Sequence, residues 1–325
     1  MRETSVQKKK KPVPRAAWWA LALLAAAAAA GALVYFWRVF YYLDARGVPA
    51  LPLYLGAAGL ACLAVGAAAL GHFVCKRFEA KAVLAVALCG ALFCFANPPL
   101  QTPDETAHFL RSYSLSQGRF TFDGSRLYPA DVAKLVESFP GAWVSAHTSQ
   151  GMTKTDGGGP VSYTTAGYGL KQRGEEGRVE SIADGFAAYF DGGDPKGELS
   201  EPYFFMTVSM LPQALGILLA RTAGLGALGC MYAARLANLA AYAALCWLAL
   251  KNCRRYQPVF LAFMLLPLSL YMAASVSYDA TLLGFYYLVA SFYCKDEITG
   301  RDIGWFLFAF VMMNIAKPYI SLLWL

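Results

Sequence analysis

Residues 81–111 read KAVLAVALCGALFCFA (81–96) followed by NPPLQTPDETAHFLR (97–111). The first block is apolar almost throughout and reads as a helix crossing a bilayer. The second places two adjacent carboxylates, Asp104 and Glu105, with His108 and Arg111 within one short stretch. A charged cluster where a membrane helix meets water is a natural place to bind a polar substrate whose other end is lipid.

The same contrast of apolar run and charged edge repeats along the chain. Its 325 residues are 58% hydrophobic and its mean hydropathy is +0.42, values of a polytopic membrane protein. Hydrocarbon offers no partner to a bare peptide group, so a spanning segment must close its own hydrogen bonds as a helix or join a barrel. The long Ala, Leu and Val runs select helices. The formal charge of +7 is not a nucleic-acid footprint, because Lys and Arg stand in short clusters at the ends of apolar runs, where they set topology. Of the 21 Asp and Glu, 14 fall between Asn97 and Pro202, against 9 Lys and Arg, so one segment is acidic and chemically distinct. All eight cysteines lie in or beside apolar runs, which argues against a disulfide framework or a zinc site.

These runs predict an all-α polytopic bundle with a long first extracytoplasmic loop. A basic cytoplasmic tail, 1–15, precedes a run at 16–40 that is too long, and too aromatic at its end, for a cleaved signal peptide. Crossings follow at 50–74 and 81–96. The extracytoplasmic loop covers 97–227, with short helices expected at 104–117, 129–138 and 182–190 and a Gly-rich, partly flexible remainder. The positive-inside rule puts Lys76, Arg77 and Lys81, and likewise Lys251, Arg254 and Arg255, on the cytoplasmic side. That requires 203–220, interrupted by Pro212 and Gln213, to lie on the membrane surface or re-enter rather than cross. Crossings at 228–250, 258–274, 280–294 and 303–325 complete the bundle. Because the sequence ends at Leu325 inside an apolar run, it is expected to be part of a longer protein.

Several clusters carry chemistry. Thr102-Pro103-Asp104-Glu105 is itself a capping box with Pro at the first helical position, which would account for both acids by local structure alone. It does not account for Asp104, His108 and Arg111 sharing one helical face at i, i+4 and i+7. A carboxylate at a helix start can take a proton from an attacking hydroxyl. Asp104 and Glu105 together could instead hold a divalent cation such as Mg or Mn, and His108 and Arg111 could bind phosphate. Ser277-Tyr278-Asp279 and Lys317-Pro318-Tyr319 bring further charge to apolar runs, where an ionisable group is a functional candidate. Helix capping and snorkelling are the structural alternatives for these two. Arg235 and Asn238 could line the bundle interior, Arg235 about two turns from the outer helix end.

The stretch 98–111, together with Arg235-Leu236-Ala237-Asn238, Ser275–Ala280 and Ala316–Tyr319, resembles a bacterial membrane-protein family known as domain of unknown function 2142, from about residue 81 onward. That family is grouped by similarity with the GT-C glycosyltransferases, so the resemblance implies a GT-C-like helical bundle. The resemblance implies an enzyme of the bacterial cytoplasmic membrane that transfers a sugar from a polyprenyl-phosphate donor to an envelope glycan, lipid or protein acceptor on the outer face. It implies Asp104 as base and Glu105 as its helper or a cation ligand. His108, Arg111 and Lys317 would hold the carrier phosphate, with Arg235, Tyr278 and Asp279 lining the substrate site. A transporter or flippase of lipid-linked glycans, and a non-catalytic subunit of an envelope-polymer assembly machine, are the competing readings.

Overall fold

The computed structural model describes residues 50–121, 123–139, 152–154, 160–166, 170–173, 179–180, 182–195, 197–201, 208–295 and 297–317, with single helical positions between 19 and 37. The basic tail 1–15 and residues 318–325 lie outside the described residues. Contacts divide the chain into Met1–Ala58 and Gly59–Leu325. Within the first unit, Trp37 meets Tyr54 edge to face with ring centroids 5.4 Å apart. The second unit carries every candidate site residue.

Helix α1 is Ala50–Val74 and α2 is Phe78–Ala96. The loop that follows contributes α3 (Glu105–Ser116), α4 (Ala130–Ser138) and α5 (Ile182–Phe190). Between α4 and α5 runs an antiparallel sheet, β1 (Met152–Lys154), β2 (Pro160–Ala166), β3 (Leu170–Arg173) and β4 (Val179–Glu180), ordered 1-2-3-4. Tyr163 stands opposite Arg173, and Lys171 opposite Glu180. The bundle itself is helical; this sheet is an addition that the all-α expectation does not include. Its signal is the β-favouring run Val161-Ser-Tyr-Thr-Thr165, bounded by glycines that read as loop.

Helix α6 (Leu211–Thr222) follows a 3₁₀ turn at Val208–Met210. Its 12 residues make a rod of about 18 Å, well short of a hydrocarbon core of about 30 Å. The remaining helices are α7 (Ala227–Asn252), α8 (Gln257–Met264), α9 (Pro267–Ala273), α10 (Asp279–Tyr293) and α11 (Gly300–Ala316). Among the described residues, α2 and α7 combine the length and apolarity needed to cross a membrane.

Helix α7 is the central post. Small residues let its neighbours approach closely, as van der Waals packing between apolar helices demands. A Cβ on Gly90 of α2 would meet Leu239, one on Gly216 of α6 would meet the Ala233 carbonyl, and one on Gly284 of α10 would meet Leu245. The segment between α2 and α6 caps this post: Asp131 of α4 accepts from the Ala227 N–H at 2.8 Å, and the Tyr189 hydroxyl of α5 from the Leu228 N–H at 3.3 Å. Two orphan donors of the α7 N-terminus are thereby satisfied, one of them by a carboxylate that suits the positive end of the helix dipole.

The run expected to cross at 258–274 is broken into α8 and α9. Pro267 has no N–H to give the Phe263 carbonyl four residues back, and it biases Leu266 to extended geometry, seen at φ −53° and ψ 136°. The Phe263 carbonyl instead accepts from the Leu266 N–H at 3.2 Å and from the Tyr287 hydroxyl at 3.1 Å, and the Met264 carbonyl accepts from the Tyr242 hydroxyl at 3.0 Å. A break inside an apolar bundle survives because neighbouring helices replace the lost backbone bonds.

Candidate functional site

The two adjacent carboxylates at the start of α3 part company. Asp104 is the N-cap residue of α3, with φ 58° and ψ 9° in the left-handed region. A non-glycine residue there costs about 1–2 kcal/mol, and such strain gathers at functional positions. Its side chain makes no capping bond and is exposed. Glu105 turns the other way and is fully buried. The expected capping box is half formed: Glu105 reaches back to the Thr102 N–H at 3.4 Å, while Thr102 does not cap the helix.

Glu105 spends the rest of its capacity inside the bundle. Its Oε1 accepts from Arg235 Nε at 2.8 Å and from the Val276 N–H at 2.9 Å, and its Oε2 from Arg235 Nη2 at 2.7 Å. Arg235, equally buried, donates Nη1 to the carbonyls of Cys94 and Asn97 and Nη2 to that of Pro98, each at 2.8 Å. All five N–H groups of the guanidinium are thus engaged. One turn along α7, Asn238 Nδ2 donates to the Ser275 and Ser277 carbonyls at 2.7 and 2.6 Å. Arg235 and Asn238 therefore pin the end of α2 and the 275–277 turn to the same post.

This geometry corrects two expectations. Arg235 has no donor left for a substrate, and its partner Glu105 has no open side for a metal or for proton transfer. Nor do Asp104 and Glu105 form a joint cation site, because one faces out and the other is consumed by a guanidinium. Among the described residues no group of three or more His, Cys, Asp or Glu could hold a metal ion.

The pinned 275–277 turn presents the remaining candidates together. The Tyr278 ring packs on that of His108, with centroids 4.7 Å apart. Lys317 Nζ, at the C-cap of α11, lies 5.2 Å from the Tyr278 ring centroid and 2.6 Å from Asp279 Oδ1. Asp279 is also held by the Ser277 hydroxyl at 3.1 Å. Residues 104–108, 278–279 and 317, distant in sequence, meet at one end of the bundle. His108 is buried, and its Nδ1 has no partner. Burial lowers its pKa, as does Arg111, while Asp104, Asp279 and Glu105 pull it back up. Arg111, half-buried one turn further along, leaves its Nε unsatisfied.

Sequence reasoning overlooked the supports. Tyr128 holds α3 by donating to the Leu110 carbonyl at 2.9 Å and sharing a 2.8 Å bond with Ser114, and burial pushes its pKa up to about 12. Thr281 ties α10 to the 3₁₀ turn before α6 through the Ser209 carbonyl at 3.2 Å. An isolated Tyr or Thr gives no local sign of such a role. The capping of α7 by Asp131 was equally invisible, since the two lie 96 residues apart.

Two helices long and apolar enough to cross a membrane, with a charged constellation at one end of the bundle, are the features of a membrane protein. Residues 197–325 match the model of a family described as predicted membrane protein, DUF2142. Arg235, Asn238, Ser277, Tyr278, Asp279 and Lys317 lie within the match, whereas Asp104, Glu105, His108 and Arg111 precede it. No curated protein and no solved structure matches the chain.

Proposed function

We propose that the protein is an inverting, lipid-linked sugar transferase acting at the outer face of the bacterial cytoplasmic membrane. The acceptor hydroxyl loses its proton to Asp104 as its oxygen attacks the anomeric carbon. The bond from that carbon to the phosphate oxygen breaks, and polyprenyl phosphate leaves with the electron pair. Its charge is received by preoriented cations. Lys317 is held in place by Asp279 and the Tyr278 face, and Arg111 and His108 stand on the helix that starts at Asp104. Glu105 and Arg235 act as positioning residues: they fix the backbone on both sides of the site and touch no reactant.

The observation that supports this reading is the convergence of an exposed, strained carboxylate with a Lys–Asp–Tyr–His cluster drawn from three separate segments. The test is turnover of a radiolabelled polyprenyl-phosphate sugar by the purified full chain in lipid. Wild type is expected to transfer label, and Asp104→Asn to insert normally yet lose transfer. Binding without turnover by wild type would overturn the transferase reading in favour of a flippase or an assembly subunit.

A further inference from the structure

The opposite end of the bundle holds a second charged feature, unrelated to the transfer chemistry. Arg77, Glu79, Lys251, Arg254 and Gln257 line a cleft of about 410 Å³. It is bounded by the first turn of α2 and the last turn of α7, the two helices long and apolar enough to span. The cleft therefore lies at the level where a bilayer changes from hydrocarbon to head group. Three cations against one carboxylate leave it net positive. Lys251 complements the C-terminal dipole of α7, but the Arg77 and Arg254 side chains have no ion-pair or hydrogen-bond partner among the described residues. Two helix N-termini, those of α2 and α8, open here without side-chain caps, and such termini favour anions. Beside the cleft, Lys251 Nζ sits 4.3 Å from the ring centroid of Trp247, which is 41% exposed. An exposed Trp next to a cation is the usual furniture of the membrane interface.

We infer that this cleft binds the phosphodiester head group of an anionic phospholipid from the surrounding bilayer. The phosphate is held by Arg77, Arg254 and the uncapped start of α2, and the acyl chains run down beside Trp247. Position decides between a lipid and a free anion: basic pockets between spanning helices at this level are reached by lipid laterally.

The test uses the full chain in detergent at physiological salt, with retained lipid counted by native mass spectrometry. Phosphatidylglycerol and phosphatidylcholine of identical acyl chains are offered in turn. Wild type is expected to retain phosphatidylglycerol preferentially. One cation near an anionic head group is worth about fivefold, so Arg77→Gln with Arg254→Gln is expected to weaken retention roughly 25-fold. Glu79→Gln, which removes the one repulsive charge, is expected to strengthen it severalfold, and this gain cannot arise from misfolding. Equal retention of the two lipids, or no gain in Glu79→Gln, overturns the inference. So does displacement of the lipid by millimolar inorganic phosphate, which would mark a free-anion site.

Discussion

Removing either member of the Glu105–Arg235 pair is expected to damage the fold far more than its two residues suggest. Both side chains are fully inaccessible, and deleting one leaves the other as an unpaired buried charge, which costs about 3–5 kcal/mol. Arg235→Met adds the loss of three carbonyl partners, Cys94, Asn97 and Pro98, each worth about 1 kcal/mol or more once left unsatisfied. Glu105→Ala frees the Val276 N–H and so loosens the turn that carries Tyr278 and Asp279. The double replacement removes both charges at once, so it should cost less than the sum of the singles by at least about 2 kcal/mol. Denaturant unfolding of the four proteins in detergent micelles, followed by tryptophan fluorescence, gives that cycle. Additive single losses, or singles below about 1 kcal/mol, would refute the picture of a sealed pair.

Three further outcomes are expected. Asp104→Gly should unfold no more readily than wild type, and later by up to about 1 kcal/mol, because glycine accepts the left-handed geometry at φ 58° without the L-residue penalty; sugar transfer should be lost in the same variant, and a clear loss of stability would contradict the strain argument. The folded pKa of His108 lies below its ordinary 6.5, so the unfolded chain binds the extra proton first as pH falls. Stability should be level above about pH 6.5 and decline below it, and His108→Gln should flatten that decline in unfolding curves taken across the range. Tyr287→Phe should cost about 1 kcal/mol by removing the bond its hydroxyl gives the Phe263 carbonyl at the α8–α9 break and the one it shares with Ser269; unchanged stability in the same assay would contradict that role.

Much of this architecture is written locally. Apolar runs, basic clusters at their ends and the prolines of 97–103 mark where helices begin and stop. These depend only on composition over a turn or two of chain. Lys317-Pro318 ends α11 for the same local reason: a residue before proline leaves the helical region, and Lys317 sits at φ −145° and ψ 98°. The break at Pro267 was legible too, yet the run around it is apolar enough to read as one crossing, because hydropathy averages over a window and ignores one missing N–H. The sheet at 152–180 was hidden because the glycines between its strand segments read as loop.

What the sequence alone determined, then, is a helical membrane protein with its titratable groups gathered at the edges of apolar runs, because transfer of residues between water and hydrocarbon is a property of each segment by itself. Which of two neighbouring carboxylates does what was decided only by the tertiary structure. Asp104 and Glu105 are chemically equal on paper. The left-handed turn at Asp104 leaves one in solvent and sends the other to a guanidinium 130 residues away. That pairing depends on helix packing around α7, so it belongs to the assembled bundle and not to any stretch of chain.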